Sequence, residues 1–195
     1  MKIKVLDDTG FVELVSVQGD EELISRVAGI SHESEKGPGV AKLLEWGHMS
    51  PFEFASMTFR IKCPIFVARQ LFRHRTGHYM EKSLRYCEGK PEFYVPKTQQ
   101  AVEYKEQYQN AWEMYKTLVA WKEPKEQARC VLPMGMYTEY YFQMDMRNLI
   151  SLLKLRLDEH AQMETQEYAR AILRFLDAHF PVISDYIIKS VDNDK

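Results

Sequence analysis

Strand and helix periods follow one another irregularly along this chain, and the change is sharpest around Pro64. Before it, FEFASMTFRI (52–61) alternates large apolar residues with small or polar ones, so that Phe52, Phe54, Met57 and Phe59 mark a strand of imperfect phase. After it, PIFVARQLFRHR (64–75) reads as a helix with Pro64 in its first turn and Gln70 and Arg73 on one face at i, i+3. Elsewhere IKVL and FVELVSV form an expected hairpin across Asp-Thr-Gly turn chemistry, and Asp20 is the expected N-cap of a helix over DEELISRVAGI. A Gly/Pro-broken loop, SEKGPGV, leads to a second helix that ends near LLEWGH. PEFYVP reads as a short extended segment and QQAVEYKEQYQNAWEMYKTLVAW as a long amphipathic helix. Pro124 starts a further helical segment, PKEQARCVL, which Pro133 and Gly135 stop, and the aromatic-rich MYTEYYFQM suits a strand. RNLISLLKLRLDEHAQMETQEYARAILRFLDAHF reads as one broken helix or two successive ones. This mixture lacks βαβ alternation and predicts an α+β fold, mainly an antiparallel sheet packed with helices and a long helical C-terminal part. At 195 residues, 45% of them hydrophobic, the chain is expected to be a single domain over 1–195.

Directly after the apolar run PIFVARQLF comes RHRTGHYMEKSLRY (73–86), with four cations besides its two histidines, one glutamate and one serine. Three readings compete. His74 and His78 at i, i+4 match a helical zinc pair, but Gly77 weakens such a helix and Arg73 and Arg75 repel a cation, so no metal is expected. A solvated charge run is the ordinary alternative. Against it stands position, because Arg73 emerges from a segment that should be packed. The third reading is an anion pocket, in which the planar donor fork of arginine matches phosphate. Arg129 in EQARCVLP, Arg147 in MDMRNL and Arg156 in KLRLDEH also lie beside core-like residues, where an unpaired guanidinium is costly. Each has a plain structural alternative: Arg156 can pair with Asp158 or Glu159, and Arg147 with a neighbouring carboxylate.

A formal charge of −2 and a pI near 6.3 argue against a generic polyanion binder, so any anion bound is expected to be small and no nucleic-acid partner is expected. Cys63, Cys87 and Cys130 form no CxxC pair and no disulfide framework, which fits a reducing cytoplasm. The N-terminus turns acidic after its first residues and no apolar run approaches about 18 residues, so neither a signal peptide nor a membrane span is expected.

Arg73-His74-Arg75, seven residues and then Ser83, followed by LRY, resembles the signature of the flavin-dependent thymidylate synthases. The resemblance extends in order through GHMSPFEF, PIFVARQLFRHR, ARCVLP and RNLISLLKLRLDEHAQMETQ, covering most of the chain. It implies reductive methylation of dUMP to dTMP, with methylenetetrahydrofolate as carbon donor, FAD as hydride carrier and NADPH as reductant. It also implies a homotetramer with sites between subunits. Carried over by position, Gln70, Arg73, Glu81, Ser83, Leu84, Arg85, Arg129 and Arg156 are expected to bind the nucleotide. His48, Ser50, Arg73, His74, Arg75, Glu81, Asp145, Arg147 and Ser151 are expected to face the flavin, with Ser31, Glu53 and His160 as further candidates. Arg156 is the candidate that stabilises charge in the pyrimidine as bonds form at C5. Ser83 is the other catalytic candidate, in a positioning role, and Cys87 lacks the activating context of a nucleophile. The sequence departs from the family pattern at Met80, His78, Asp145 and Ser151. A related methylase of UMP or another pyrimidine nucleotide is the alternative enzyme. A non-catalytic nucleotide- or RNA-binding module, with the aromatics of EFYVP and MYTEYYF stacking bases, is the alternative from another class.

Overall fold

The nine-residue strands β3 (Ser56–Pro64) and β5 (Tyr137–Asp145) pair antiparallel along their whole length in the computed structural model, which describes residues 1–193. Around them, β1 (Lys2–Val5), β2 (Gly10–Gln18) and β4 (His78–Glu81) complete a sheet of order β1-β2-β3-β5-β4, antiparallel throughout. The expected first hairpin is present, and the Asp7 carboxylate organises its turn by accepting from the N–H groups of Thr9 and Gly10 at 2.8 and 3.2 Å. A register shift between Leu14 and Ser16 bends β2 and leaves Val15 facing solvent.

The imperfect phase of FEFASMTFRI has a simple cause. Its first part, Ser50–Phe54, is a 3₁₀ turn in which Phe52 is buried and Phe54 exposed. Alternation holds only from Met57, where Met57, Phe59, Ile61 and Cys63 all enter the core. Pro64 is the last residue of β3 and precedes α3 (Ile65–Leu71), rather than lying inside the first turn. That helix stops at Leu71, so Gln70 and Arg73 do not share a helical face. His78 lies in β4, so His74 and His78 are not one helical pair either.

The other helices are α1 (Glu21–Gly29), α2 (Val40–Glu45), α4 (Ala101–Ala120), α5 (Lys125–Ala128), α6 (Met146–Leu157), α7 (Met163–His179) and α8 (Pro181–Asn193). Asp20 caps α1 as expected, accepting from the Leu23 N–H at 2.7 Å. The expected C-terminal helical stretch is two helices, broken between Leu157 and Met163, and α8 follows from residues left unassigned by the sequence. One face of the sheet carries the core. Phe59 and Phe142 stack at 6.2 Å between ring centroids, and Phe175 of α7 meets Phe59 at 6.1 Å. Tyr168, Ile172 and Leu176 of α7 and Leu149, Leu152 and Leu153 of α6 close over them, each fully buried. Each such aliphatic or Phe side chain removed from water contributes roughly 1.5–3 kcal/mol.

The opposite face is polar, with Arg60 held between Glu13 and Glu139. The N-terminus of α8 is satisfied from a distant point in the chain, because the Glu21 carboxylate accepts from the N–H groups of Val182 and Ile183 at 2.8 and 3.2 Å. Glu21→Ala should therefore lower the unfolding free energy by about 1–2 kcal/mol, read as a lower urea midpoint with unchanged slope. An unchanged midpoint would show that the cap contributes nothing.

Candidate functional site

A cleft of about 1070 Å³ opens beside α3, the turn after it and the C-terminal end of α6. Gln70, Arg73, His74, Glu81 and Arg156, five of the residues expected from sequence, line it together with Arg69, Phe72 and Leu155. Its central group is Arg156. The Nε–H donates to His74 Nε2 at 3.1 Å and an Nη2–H to the Gln70 carbonyl at 2.9 Å. No carboxylate pairs with Arg156 among the described residues, neither Asp158 nor Glu159: Asp158 instead accepts from the His160 N–H and ring at 2.8 and 3.0 Å. A guanidinium has five N–H donors, so three stay available to an acceptor in the cleft.

His74 must be neutral to accept at Nε2, which puts its hydrogen on Nδ1. Burial, and then the Arg156 charge, push its pKa down to about 4. Arg156 is itself lowered, by burial first and by the Arg73 charge second. The turn that carries His74 is fixed from behind. The Tyr79 hydroxyl lies 3.0 Å from the carbonyls of both Leu71 and His74, and its ring stacks on Phe142 at 5.1 Å. Gly77 belongs to this packing, since a Cβ there would come within 2.8 Å of the Phe142 ring and the Tyr79 hydroxyl. The Gln70 side chain is also held, by Gln162 and Thr165 of the α7 entry.

A second, narrower cavity of about 420 Å³ adjoins the first and shares Ile65, Arg69 and Glu81 with it. Leu84 and Arg129 line it as expected, and Lys82 and Lys90 add cations not singled out from sequence. Arg69 is likewise missed, although a cation inside the apolar run IFVARQLF was a legible signal. Glu81 accepts from the Thr138 hydroxyl at 2.6 Å, which fixes the one acid common to both spaces. Ser83 and Arg85 lie outside both linings: Ser83 Oγ accepts from the Arg85 N–H at 3.2 Å, and Arg85 donates to Glu126 at 2.8 Å. No base is hydrogen-bonded to the Ser83 hydroxyl among the described residues.

The remaining flavin candidates lie apart. His48, Ser50 and Ser31 line a small cavity of about 180 Å³ with Trp46. Gly47, with φ +69°, ends α2 and aims the chain there, as the N–H groups of Gly47 and His48 reach back to the carbonyls of Leu44 and Leu43 at 3.1 and 2.9 Å. Glu53 ion-pairs with Arg147, a carboxylate distant in sequence rather than a neighbouring one. Asp145 is the N-cap of α6, accepting from the Asn148 N–H at 3.0 Å and its side-chain amide at 2.6 Å, and Ser151 donates to the Arg147 carbonyl at 3.3 Å. Arg147 and Arg156 thus occupy opposite ends of α6, roughly 14 Å apart along its axis. Arg73 and Arg75 are exposed and have no ion pair among the described residues. His160 is 86% exposed and borders neither cleft. Met80 does not border the main cleft; it lies in β4 and lines, with Glu81, Arg60 and Glu139, a separate small pocket.

Burial pushes the Cys63 thiol far up, Cys87 borders neither cleft, and Cys130 lines the second one. No group of three potential metal ligands occurs among the described residues. No helix is long and apolar enough to cross a membrane among them.

The family model described as Thymidylate synthase complementing protein matches residues 13–182. The chain is 37% identical to a flavin-dependent thymidylate synthase of Thermosipho africanus, over 97% of this chain and 95% of that protein. It is 40% identical to one of Pseudothermotoga lettingae, over 93% and 90%. The fold is similar to that of the crystallised UMP/dUMP methylase PolB from Streptomyces cacaoi bound with 5-Br dUMP, with a TM-score of 0.86 and 29% identity over 94% of this chain and 96% of that one. A structure of the same methylase bound with 5-Br UMP gives the same TM-score at 28% identity, over 96% and 97%.

The neutral state of His74 sets a pH dependence. Its pKa of about 4 lies below the ordinary 6.5, so between these values the unfolded chain binds more protons than the native one. This contribution to stability is present above pH 6.5, falls as the pH drops through that window and is fully lost below about 4. Urea unfolding of wild type and His74→Gln across the window should show the wild type losing stability relative to the variant as pH falls. A constant difference would mean that His74 titrates normally.

Proposed function

Because the chain belongs to the thymidylate synthase complementing protein family, we propose that it reductively methylates dUMP to dTMP, with methylenetetrahydrofolate as carbon donor, FAD as hydride carrier and NADPH as reductant. The observation that carries this reading is Arg156, a cation held by two neutral acceptors with donors to spare in an open cleft. Its guanidinium fits the carbonyl edge of a uracil and stabilises electron density that enters the ring as C5 forms its bond. The phosphate end of the nucleotide extends toward Arg129, Lys82 and Lys90 in the adjoining cavity, where Arg129 offers a charge-assisted bond. Ser83 and Arg85 flank Leu84, which lines that cavity, on a segment clipped to α5 by the Arg85–Glu126 pair.

FAD supplies hydride transfer to the pyrimidine when bound. The residues suit it chemically, since the exposed guanidiniums of Arg73 and Arg75, without an ion pair among the described residues, match an anionic dinucleotide, and His48 and Ser50 border a small cavity of their own. Arg147 joins them only by sharing its charge with Glu53. Arg147 lies at the far end of α6 from the nucleotide cleft, and His48 and Ser50 line a cavity apart from it, a spread that supports a homotetramer in which different subunits contribute to each site. Such an enzyme works in the cytoplasm. UMP as substrate is the second reading, favoured by the similarity to a methylase named for both nucleotides.

Single-turnover mixing of pre-reduced holoenzyme with folate donor and nucleotide tests the reaction. Arg156→Lys should slow nucleotide-dependent flavin oxidation by about 10²-fold while NADPH-driven flavin reduction changes less. Equal rates would remove Arg156 from the chemistry, and faster turnover of UMP than dUMP would reassign the substrate. Separate titrations should divide the cations. Arg75→Ala should weaken FAD, and Arg129→Ala should weaken dUMP by roughly 1.5–3 kcal/mol. Parallel losses of both ligands in both variants would mean a general structural defect.

A further inference from the structure

We propose that Gln162 and Thr165 are positioning residues for Arg156, acting through the side chain of Gln70. Both acceptors of the Arg156 guanidinium, the Gln70 carbonyl and His74 Nε2, come from the end of α3 and the turn after it. A shift of that one segment therefore moves both. Tyr79 ties the segment to β4 through the carbonyls of Leu71 and His74. The tie to the other side is the Gln70 amide. Its oxygen accepts from the Thr165 hydroxyl at 3.0 Å, and its nitrogen donates to the Gln162 side-chain oxygen at 2.5 Å. Thr165 and Gln162 thus hold the two poles of the Gln70 amide between them. Thr165 is fully buried, so its hydroxyl has no water to turn to, whereas Gln162 is exposed and can be altered without opening the core. The α7 entry thereby sets where the cleft guanidinium points, although neither residue borders the cleft.

The consequence for nucleotide binding rests on the reading of Arg156 given above, so the test separates the two. In nitrogen-15 spectra of the full chain, the Arg156 Nε–H is identified by its disappearance in Arg156→Lys. Thr165→Val and Gln162→Met should each speed its exchange with water by about tenfold, as expected when a bond worth on the order of 1.4 kcal/mol is released. Thr165→Ser, which keeps the hydroxyl, should restore slow exchange. The dUMP affinity of Thr165→Val should fall by a similar factor, and adding Thr165→Val to Arg156→Lys should cost nothing more. Unchanged exchange in both variants overturns the proposal, even if the melting temperature drops, because that pattern describes a tether between α3 and α7 and nothing else. Faster exchange with unchanged dUMP affinity supports the positioning role and removes Arg156 from the nucleotide instead.

Discussion

Pairing of β3 with β5 over nine residues, from Ser56 opposite Asp145 to Pro64 opposite Tyr137, is the constraint on which the site depends. Both strands convert directly into helices, α3 after Pro64 and α6 after Asp145, and antiparallel pairing starts these helices at opposite ends of the ladder. Each must fold back over the same apolar face, because Phe59 and Phe142 have nowhere else to be covered. The ends of α3 and α6 consequently meet. Arg156 reaches the Gln70 carbonyl across a sequence gap that no local rule could bridge.

Where the helices meet, charge is handled without a counter-ion. A half-buried guanidinium usually finds a carboxylate, and breaking such a pair leaves a costly group behind. Here a carbonyl and a neutral imidazole take that place, so the positive charge stays uncompensated and free for a ligand. The arrangement has its own requirement: the imidazole must remain unprotonated, which burial and the arginine itself enforce. Glu81, the acid within reach of both cavities, is engaged by Thr138. Away from the cleft the opposite policy holds, with Arg60, Lys62, Arg85 and Arg147 all paired to glutamates.

Local chemistry was legible wherever one segment decides its own conformation. The Asp20 cap, the first hairpin, the long helix α4 and the strand over MYTEYYFQM follow from caps, turn residues and periodicity, and each is present. The α+β class with an antiparallel sheet follows from their irregular order. Failures cluster where neighbours override local preference. The helix over PIFVARQLFRHR ends at Leu71 because Tyr79 and Phe142 capture the following turn, and HYME, too short to announce a strand, becomes one by pairing with Tyr140–Gln143. Phe54 is apolar and yet exposed, since the 3₁₀ turn rotates it out of the strand phase.

By itself, then, the sequence determined most of the element types and the identity of the cations, because these depend on residues within one or two turns of each other; β4, α8 and the 3₁₀ turn at Ser50–Phe54 were exceptions. Of the RHR motif, Arg73 and His74 line the main cleft, whereas Arg75 and Ser83 do not. Only the tertiary structure decided which cations stay free. Arg147 and Arg156 look alike in sequence, each beside apolar residues and each with acids nearby, but Arg147 meets Glu53 whereas Asp158 turns to His160 and leaves Arg156 to His74. Ion pairing is set by distances of a few ångströms between segments far apart in the chain, and those distances exist only once β3 and β5 have paired.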